Sequence, residues 1–443
     1  MNNENNLKAG SAPNAKEGTL SSNTQKSLGQ WLSYLESIHP SAIDMGLDRV
    51  KAVAQSMALS LSQSLVITVA GTNGKGTTCR LLEQAMLSQG KSVAVYSSPH
   101  LTDYRERVRY NGELPPANEF VKAFEFVEKS RKETEGDPIT LTYFEFGTLA
   151  AMKMMQSWEV DVVILEVGLG GRLDATNIIH PDLAIITTID LDHQDWLGNT
   201  REKIAREKAG IMRKNGNAVV GDLFPPSSLY DVVNELQANV RWATQDFVTV
   251  VASDYSEWSW KGKNSSYASL PYPKIPLQNA STALAALEFL ELLPEEQVVR
   301  DIIKNTTMPG RQETISESPL VVVDVAHNPQ ATSEMQNWLN RYDVSKMRIV
   351  VGMLKDKSIA ETLAPLAALN ADWYVASTSG PRGCEAEVLE NALVNAGTTI
   401  ENIDTFQTVA SAYQRALADY QTGELILVFG SFVTVADVLA EQS

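Results

Sequence analysis

The stretch Leu65-Val66-Ile67-Thr68-Val69-Ala70-Gly71-Thr72-Asn73-Gly74-Lys75-Gly76-Thr77-Thr78 decides the architecture. Its first six residues are a short β run. A Gly-rich loop follows, and a helical pattern then runs from Thr77 to Gln89, closed by Gly90 in the usual place for a helix stop. Strand, loop and helix in this order make an anion cradle. Glycines let several N–H groups face one anion, and the helix adds its positive end. Lys75 reaches outer phosphates, and Thr77 or Thr78 offers a hydroxyl to Mg²⁺. The spacing departs from the common form, because Gly71 precedes Gly74 by three positions and Gly76 separates Lys75 from Thr77. The expectation is that Gly71, Thr72, Asn73, Gly74, Lys75, Gly76 and Thr77 hold the phosphates of ATP.

Working outward, Ser92–Tyr96, Val160–Leu165 and Leu183–Ile189 read as further buried strands with helical patterns between most of them. This alternation predicts a doubly wound, mainly parallel α/β sheet of P-loop type, with ligands at the carboxyl ends of the strands. Val248–Val251 and Trp258–Trp260 read as a side sheet, followed by a helix over Asn279–Leu292. Pro294 and the turn Met308-Pro309-Gly310 mark a boundary. Strands at Leu320–Val323, Arg348–Val351, Trp373–Ala376 and Leu425–Phe429 restart the alternation as a smaller C-terminal α/β, Rossmann-like domain. The expected division is a polar disordered tail over 1–27, a nucleotide domain over 28–296, a linker over 297–311 and a second domain over 312–443. Order is expected to begin with a helix over Leu28–Ile38.

Composition narrows the function. The 443 residues carry 37 basic and 54 acidic side chains, a net charge of −17, which disfavours nucleic acid and anionic membrane partners. The two cysteines, Cys79 and Cys384, lack ligand spacing, so a zinc site or disulfide framework is not expected. No apolar run reaches the length of a membrane span, and the tail lacks a signal-peptide core; the expected location is the cytoplasm.

Four more stretches carry candidate chemistry. Glu166 ends a buried strand ahead of Val167-Gly168-Leu169-Gly170-Gly171-Arg172-Leu173-Asp174, where a carboxylate suits Mg²⁺ and Asp174 could contact substrate. His193, in Leu191-Asp192-His193-Gln194, follows the strand Leu183–Ile189, which is expected to neighbour that of Glu166, and would suit a second divalent ion as a ligand. Lys208 sits on a helical pattern from near Thr200, where a lysine is ordinarily a solvated helix residue. Arg311 in a turn and Asp324 at a strand end could grip a nucleotide from across a cleft; read alone, Asp324 serves equally as a helix N-cap.

Together the motifs GTNGKGTT at 71–78, YSSPHL at 96–101, LTYFEF at 141–146, EVGLGGRLDATN at 166–177, LDHQDWLG at 191–198, REKAGI at 206–211, PGR at 309–311 and DVAHNP at 324–329 resemble the folylpolyglutamate synthase / dihydrofolate synthase family, within the Mur ligase group. The resemblance spans almost everything from Trp31 onward. It implies an ATP-dependent ligase that phosphorylates a pteroate or folate carboxylate and couples it to the amino group of L-glutamate. By that resemblance Ser97, Glu166 and Thr77 hold one Mg²⁺ and His193 a second, with a monovalent cation a further candidate; Lys75, Lys208 and His193 are the catalytic candidates, and Lys208 is N-carboxylated. Asn279, Arg311 and Asp324 contact nucleotide; Ser41, Ala42, Ile43, Asp44, Thr142, Tyr143, Phe144, Leu173, Asp174 and Ala175 contact dihydropteroate; His327 and Ser431 serve glutamate. Tetrahydrofolate and its polyglutamates are the other expected substrates, and a monomer is expected. Two rivals are a Mur-type ligase acting on a cell-wall precursor and a non-catalytic nucleotide-dependent regulator.

Overall fold

The computed structural model describes residues 26–41, 43–134 and 136–441. Most of the expected tail, and Ala42 among the candidate substrate residues, lie outside them. Ser27, expected in the tail, instead caps the helix Leu28–Leu35: its side chain accepts from Gln30 N–H, and the Gln30 side chain accepts in return.

The first domain is a seven-stranded sheet of β1 (Leu65–Ala70), β2 (Val93–Tyr96), β3 (Val108–Tyr110), β4 (Val162–Glu166), β5 (Leu183–Ile186), β6 (Asn217–Val220) and β7 (Asn239–Trp242), in the order β3-β2-β4-β1-β5-β6-β7. Every pairing is parallel except β2 with β3. Strands covered on both faces need unbroken apolar runs, and β4 is buried at every position. Helices Lys75–Ser88 and Leu277–Phe289 cover one face; Ala117–Lys132 and Tyr143–Trp158 cover part of the other. A three-stranded antiparallel side sheet of β8 (Val248–Val251), β9 (Glu257–Lys261) and β10 (Ser266–Pro271) seals an edge with Trp258 and Trp260.

Two expectations change here. β5 does not adjoin β4; β1 lies between them, so His193 and Glu166 flank the loop from opposite sides. The segment Glu296–Asn305, expected within the linker from residue 297, is a helix whose Val299 and Ile303 are buried with the first domain's core.

The second domain holds β11 (Glu313–Glu317), β12 (Leu320–Asp324), β13 (Met347–Val351), β14 (Ala371–Ala376), β15 (Ile403–Phe406) and β16 (Leu425–Phe429), in the order β11-β12-β16-β13-β14-β15. Only β11 runs antiparallel to its neighbour. Cys79 and Cys384 are both buried thiols, one in each domain. Among the described residues no helix is long and apolar enough to cross a membrane.

Candidate active site

The glycine-rich loop leaves the end of β1, the central strand of the sheet. Its entry is pinned by Thr188: Thr72 N–H donates to the Thr188 carbonyl (2.7 Å) and Asn73 N–H to Thr188 Oγ1 (3.1 Å). Gly74 has φ +84°, and a Cβ there would strike the Asn279 amide, so only glycine fits. The helix Lys75–Ser88 then starts with N–H groups facing the cleft. Lys75 Nζ arches back to donate to the carbonyls of Gly71 (3.0 Å) and Thr72 (3.2 Å). Asn279 Nδ2 donates to Thr77 Oγ1 at 2.6 Å, which joins two of the candidate nucleotide residues directly.

Beside the loop stands Glu166. It accepts from Ser98 N–H at 3.2 Å, and a Cβ on Gly76 would lie 3.6 Å from its carboxylate. The extra glycine therefore leaves open the space between helix N-terminus and carboxylate. Burial raises the pKa of Glu166, and burial lowers that of Lys75; each charge partly offsets the cost of the other. Burying these ions costs several kcal/mol. Full burial of Val163, Ile164 and Leu165 at ~1.5–3 kcal/mol each is of the right size to hold the strand end in place. Ser97 is fixed one step away, its Oγ accepting from Arg109 Nη1 at 3.2 Å while Arg109 pairs with the buried Glu83.

On the other side of the loop, His193 adopts φ +51° and starts the short helix Gln194–Leu197. Burial pulls its pKa down to about 4, so the ring is neutral at pH 7. Its neighbour Asp192 makes two contacts across the cleft: Lys357 Nζ at 2.7 Å and His327 Nε2 at 3.6 Å. Despite burial, which pushes its pKa up, the hydrogen bond from His327 and the nearby His193 and Lys357 hold Asp192 well below the usual carboxylate range. Lys208, far from a solvated helix position, is 3 % exposed, and burial, then the charge of Lys75, lowers its pKa to about 7. Among the described residues no partner hydrogen-bonds its Nζ.

The second domain contributes from strand ends. Arg311 lies over the Phe432 ring (4.9 Å) and faces Asp324, whose carboxylate accepts from the N–H groups of Gln312 and Ala326. The N-cap of the helix Pro329–Leu339 is Asn328 rather than Asp324. Asn328 and Gln330 also clasp Asn73 of the loop through bonds of 2.7 to 3.0 Å. Ser431 caps the helix Phe432–Ala440.

The loop 71–77, Glu166, Asp192, His193, Lys208, Asn279, Arg311, Asp324, His327, Lys357 and Ser431 line one cleft of about 660 Å³ between the domains. Ile43, Asp44, Thr142, Phe144, Leu173, Asp174 and Ala175 line it as well; Ser41, Tyr143 and Ser97 do not. Tyr143 instead meets Tyr104 edge-on at 5.9 Å. Phe144 packs over Gly168, where a Cβ would collide with its ring. Asp174 lends its carboxylate to the loop, accepting from Leu169 N–H and Thr176. Arg107, Glu334 and Lys357 line the cleft without belonging to any of the motifs, and Asp192 lay within one without a role of its own.

Known proteins match this arrangement. The Mur ligase middle domain matches residues 69–223, and the Mur ligase glutamate ligase domain matches residues 310–432. A dihydrofolate synthase/folylpolyglutamate synthase from Escherichia coli (strain K12) is 45% identical over 413 residues, covering 93% of this chain and 94% of its own. The chain belongs to the dihydrofolate synthase/folylpolyglutamate synthase family. A solved structure of E. coli FolC in complex with DHPP and ADP superposes with a TM-score of 0.88 at 44% identity, covering 94% of this chain and 99% of that one. The bifunctional folylpolyglutamate synthase/dihydrofolate synthase from Yersinia pestis, complexed with AMPPNP and Mn ion, superposes with a TM-score of 0.86 at 45% identity, covering 94% and 98%. Members of the dihydrofolate synthase/folylpolyglutamate synthase family are ATP-dependent ligases. Neither the cell-wall ligase nor the regulatory reading is favoured.

Proposed function

We propose that this chain joins the carboxylate of 7,8-dihydropteroate, or of tetrahydrofolate and its polyglutamates, to the amino group of L-glutamate at the expense of ATP. One observation carries the reading: a phosphate loop, a buried carboxylate and an aromatic-walled slot share one cleft with cations of the second domain. A carboxylate is a poor electrophile, so one of its oxygens must become a leaving group. The substrate carboxylate attacks the terminal phosphorus of ATP, ADP leaves, and an acyl phosphate forms. The glutamate nitrogen then attacks the acyl carbon, an amide forms, phosphate leaves and the nitrogen loses a proton.

Phosphoryl transfer asks for positioning and charge neutralisation more than covalent help. Lys75 and the loop N–H groups take up negative charge on the transferring phosphate. Asn279, Arg311 and Asp324 hold the nucleoside end from both domains. Phe144, with Thr142, Leu173 and Ala175, offers the flat wall for a pterin. His327 and Ser431 serve the incoming glutamate, with Lys357 beside them.

The residues present fit a divalent ion. Among the described residues no three His, Cys, Asp or Glu side chains converge on a point. Glu166 and the Thr77 hydroxyl, beside the space that Gly76 leaves open, would give a sparse oxygen site of the kind magnesium takes when it keeps water and shares substrate phosphates, with Ser97 Oγ as a further donor. When bound there, Mg²⁺ would neutralise phosphate charge. His193, neutral at pH 7, is available as a ligand of a second ion. Lys208 is available for carboxylation, since a buried neutral amine can add CO₂, lose a proton and become an anionic oxygen donor.

The charge of −17 disfavours nucleic acid partners, and a cytoplasmic monomer with small-molecule partners completes the proposal. The test is ADP release by purified protein with dihydropteroate and with tetrahydrofolate, each with and without glutamate. Glutamate-dependent release is expected with both; its absence with both overturns the reading.

A further inference from the structure

The arginines of the first domain are mostly paired with acids: Arg49 with Asp44 and Glu145, Arg109 with Glu83, Arg131 with Glu128. Arg107 lines the cleft and is not. Its Nε donates to His100 Nδ1 at 2.9 Å. Its guanidinium lies 5.4 Å from the Tyr104 ring centre and 5.6 Å from that of Tyr143, and against the Tyr96 hydroxyl. Among the described residues it forms no ion pair. A half-buried cation without an anion, in a chain this acidic, is a place prepared for one.

Its position says which. The Arg107 carbonyl accepts from Ser97 N–H at 2.9 Å, so its backbone stands beside the oxygen site, while its side chain turns among the aromatic rings. It therefore sits between the phosphate end and the pterin wall of the cleft. Dihydropteroate ends there in one carboxylate, the one to be activated. A folate ends in two, of which only one can meet the phosphate. The other enters a space already bounded by Glu166, Asp174 and Asp324, where an unpaired anion is costly.

We propose that Arg107 holds the non-reacting carboxylate of substrates that already carry glutamate, and so separates the two reactions of this enzyme. This inference rests on the function proposed above. Guanidinium and carboxylate match as a two-pronged pair. The ring contacts of Tyr104 and Tyr143 and the bond to His100 fix the fork before substrate arrives. Arg107 thus determines specificity without touching the reacting atoms.

The experiment compares wild type, Arg107→Met and Arg107→Lys with dihydropteroate and with tetrahydrofolate, at saturating ATP and glutamate. Wild-type activity with both substrates is the check on the proposed function itself; the split between substrates in the variants is the check on Arg107. Arg107→Met should raise KM for tetrahydrofolate about 10- to 100-fold, the range of a hydrogen-bonded charge pair, and leave dihydropteroate kinetics within about twofold. Arg107→Lys should fall between. Equal losses on both substrates, or none on either, overturn the proposal. A tetrahydrofolate mono-amide capped at the non-reacting carboxylate closes a double-mutant cycle. It should bind wild type as weakly as the acid binds Arg107→Met, with no further loss in the variant. Wild type that binds amide and acid equally well overturns the proposal even if neither variant folds.

Discussion

On the first-domain wall, Lys75 and Glu166 are held by the loop and strand ends around them; on the second-domain wall, His327 and Lys357 meet their anion across the cleft, at Asp192. Lys75 is tied to carbonyls three and four residues away. Lys357 is tied to a residue 165 positions away. One wall is preassembled, and the other is completed only when the domains meet. Phosphoryl transfer needs fixed charges, and the rigid wall supplies them. Glutamate must enter and product must leave, and the contacts that close the cleft at Asp192 are polar ones that can open again. Closure would shield an acyl phosphate from water.

The contrast can be broken most sharply at Lys75. Lys75→Ala should lower turnover by about 1000-fold, the scale of removing a preorganised charge from a developing one, while the chain still folds, because the buried Glu166 carboxyl can take up a proton once its partner cation is gone. A variant retaining a tenth of normal activity would mean that the phosphate is held elsewhere. Next comes Glu166→Gln, which keeps volume and removes charge. Turnover should fall about 100-fold, with a higher Mg²⁺ concentration needed for half-maximal rate. An unchanged Mg²⁺ requirement would remove Glu166 from the metal site.

The preassembled wall was legible in the sequence because it is made of continuous segments. The loop, Glu166 and Lys208 each sit in an unbroken motif, and β1, β4 and β16 are apolar runs that only a buried parallel strand explains. The other wall was legible only in pieces. Asp192 was quoted in a motif, but nothing near it in the chain announces Lys357 as its partner. Strand order was equally silent, which is why β1 came as the divider between His193 and Glu166. The edge strands Glu313–Glu317 and Ile403–Phe406 are short, partly exposed and rich in polar residues, so neither period nor composition marks them. The helix Glu296–Asn305 was obscured by Pro294 and the following turn, although Val299 and Ile303 have helical spacing.

Asp192→Asn sharpens the comparison from the adjustable side. The amide keeps the shape but removes the anion shared by Lys357 and His327. kcat/KM for glutamate should fall about tenfold, the low end for a hydrogen bond to charge, and KM for ATP should move less. If ATP and glutamate suffer equally, the contact belongs to the preassembled wall, and the contrast fails.

At Lys208 the effect is on stability rather than on rate. Its folded pKa of about 7 lies below the ordinary value of 10.5. Between those values the unfolded chain binds the extra proton, so stability should rise with pH through this window, at about 1 kcal/mol per pH unit or slightly more. The penalty is full below pH 7 and gone above about 10.5, where both states are neutral. In bicarbonate-free buffer, denaturant unfolding of wild type should steepen in this sense between about pH 7.5 and 9. Lys208→Met, which keeps the buried stem and removes the amine, should flatten the profile. Parallel profiles would show that the amine escapes burial. Adding bicarbonate should stabilise wild type and leave Lys208→Met unchanged, because only a neutral buried amine can be drawn into a carbamate in the folded state. A bicarbonate effect of equal size in both would place the modification on some other lysine and return Lys208 to the packing of the rigid wall.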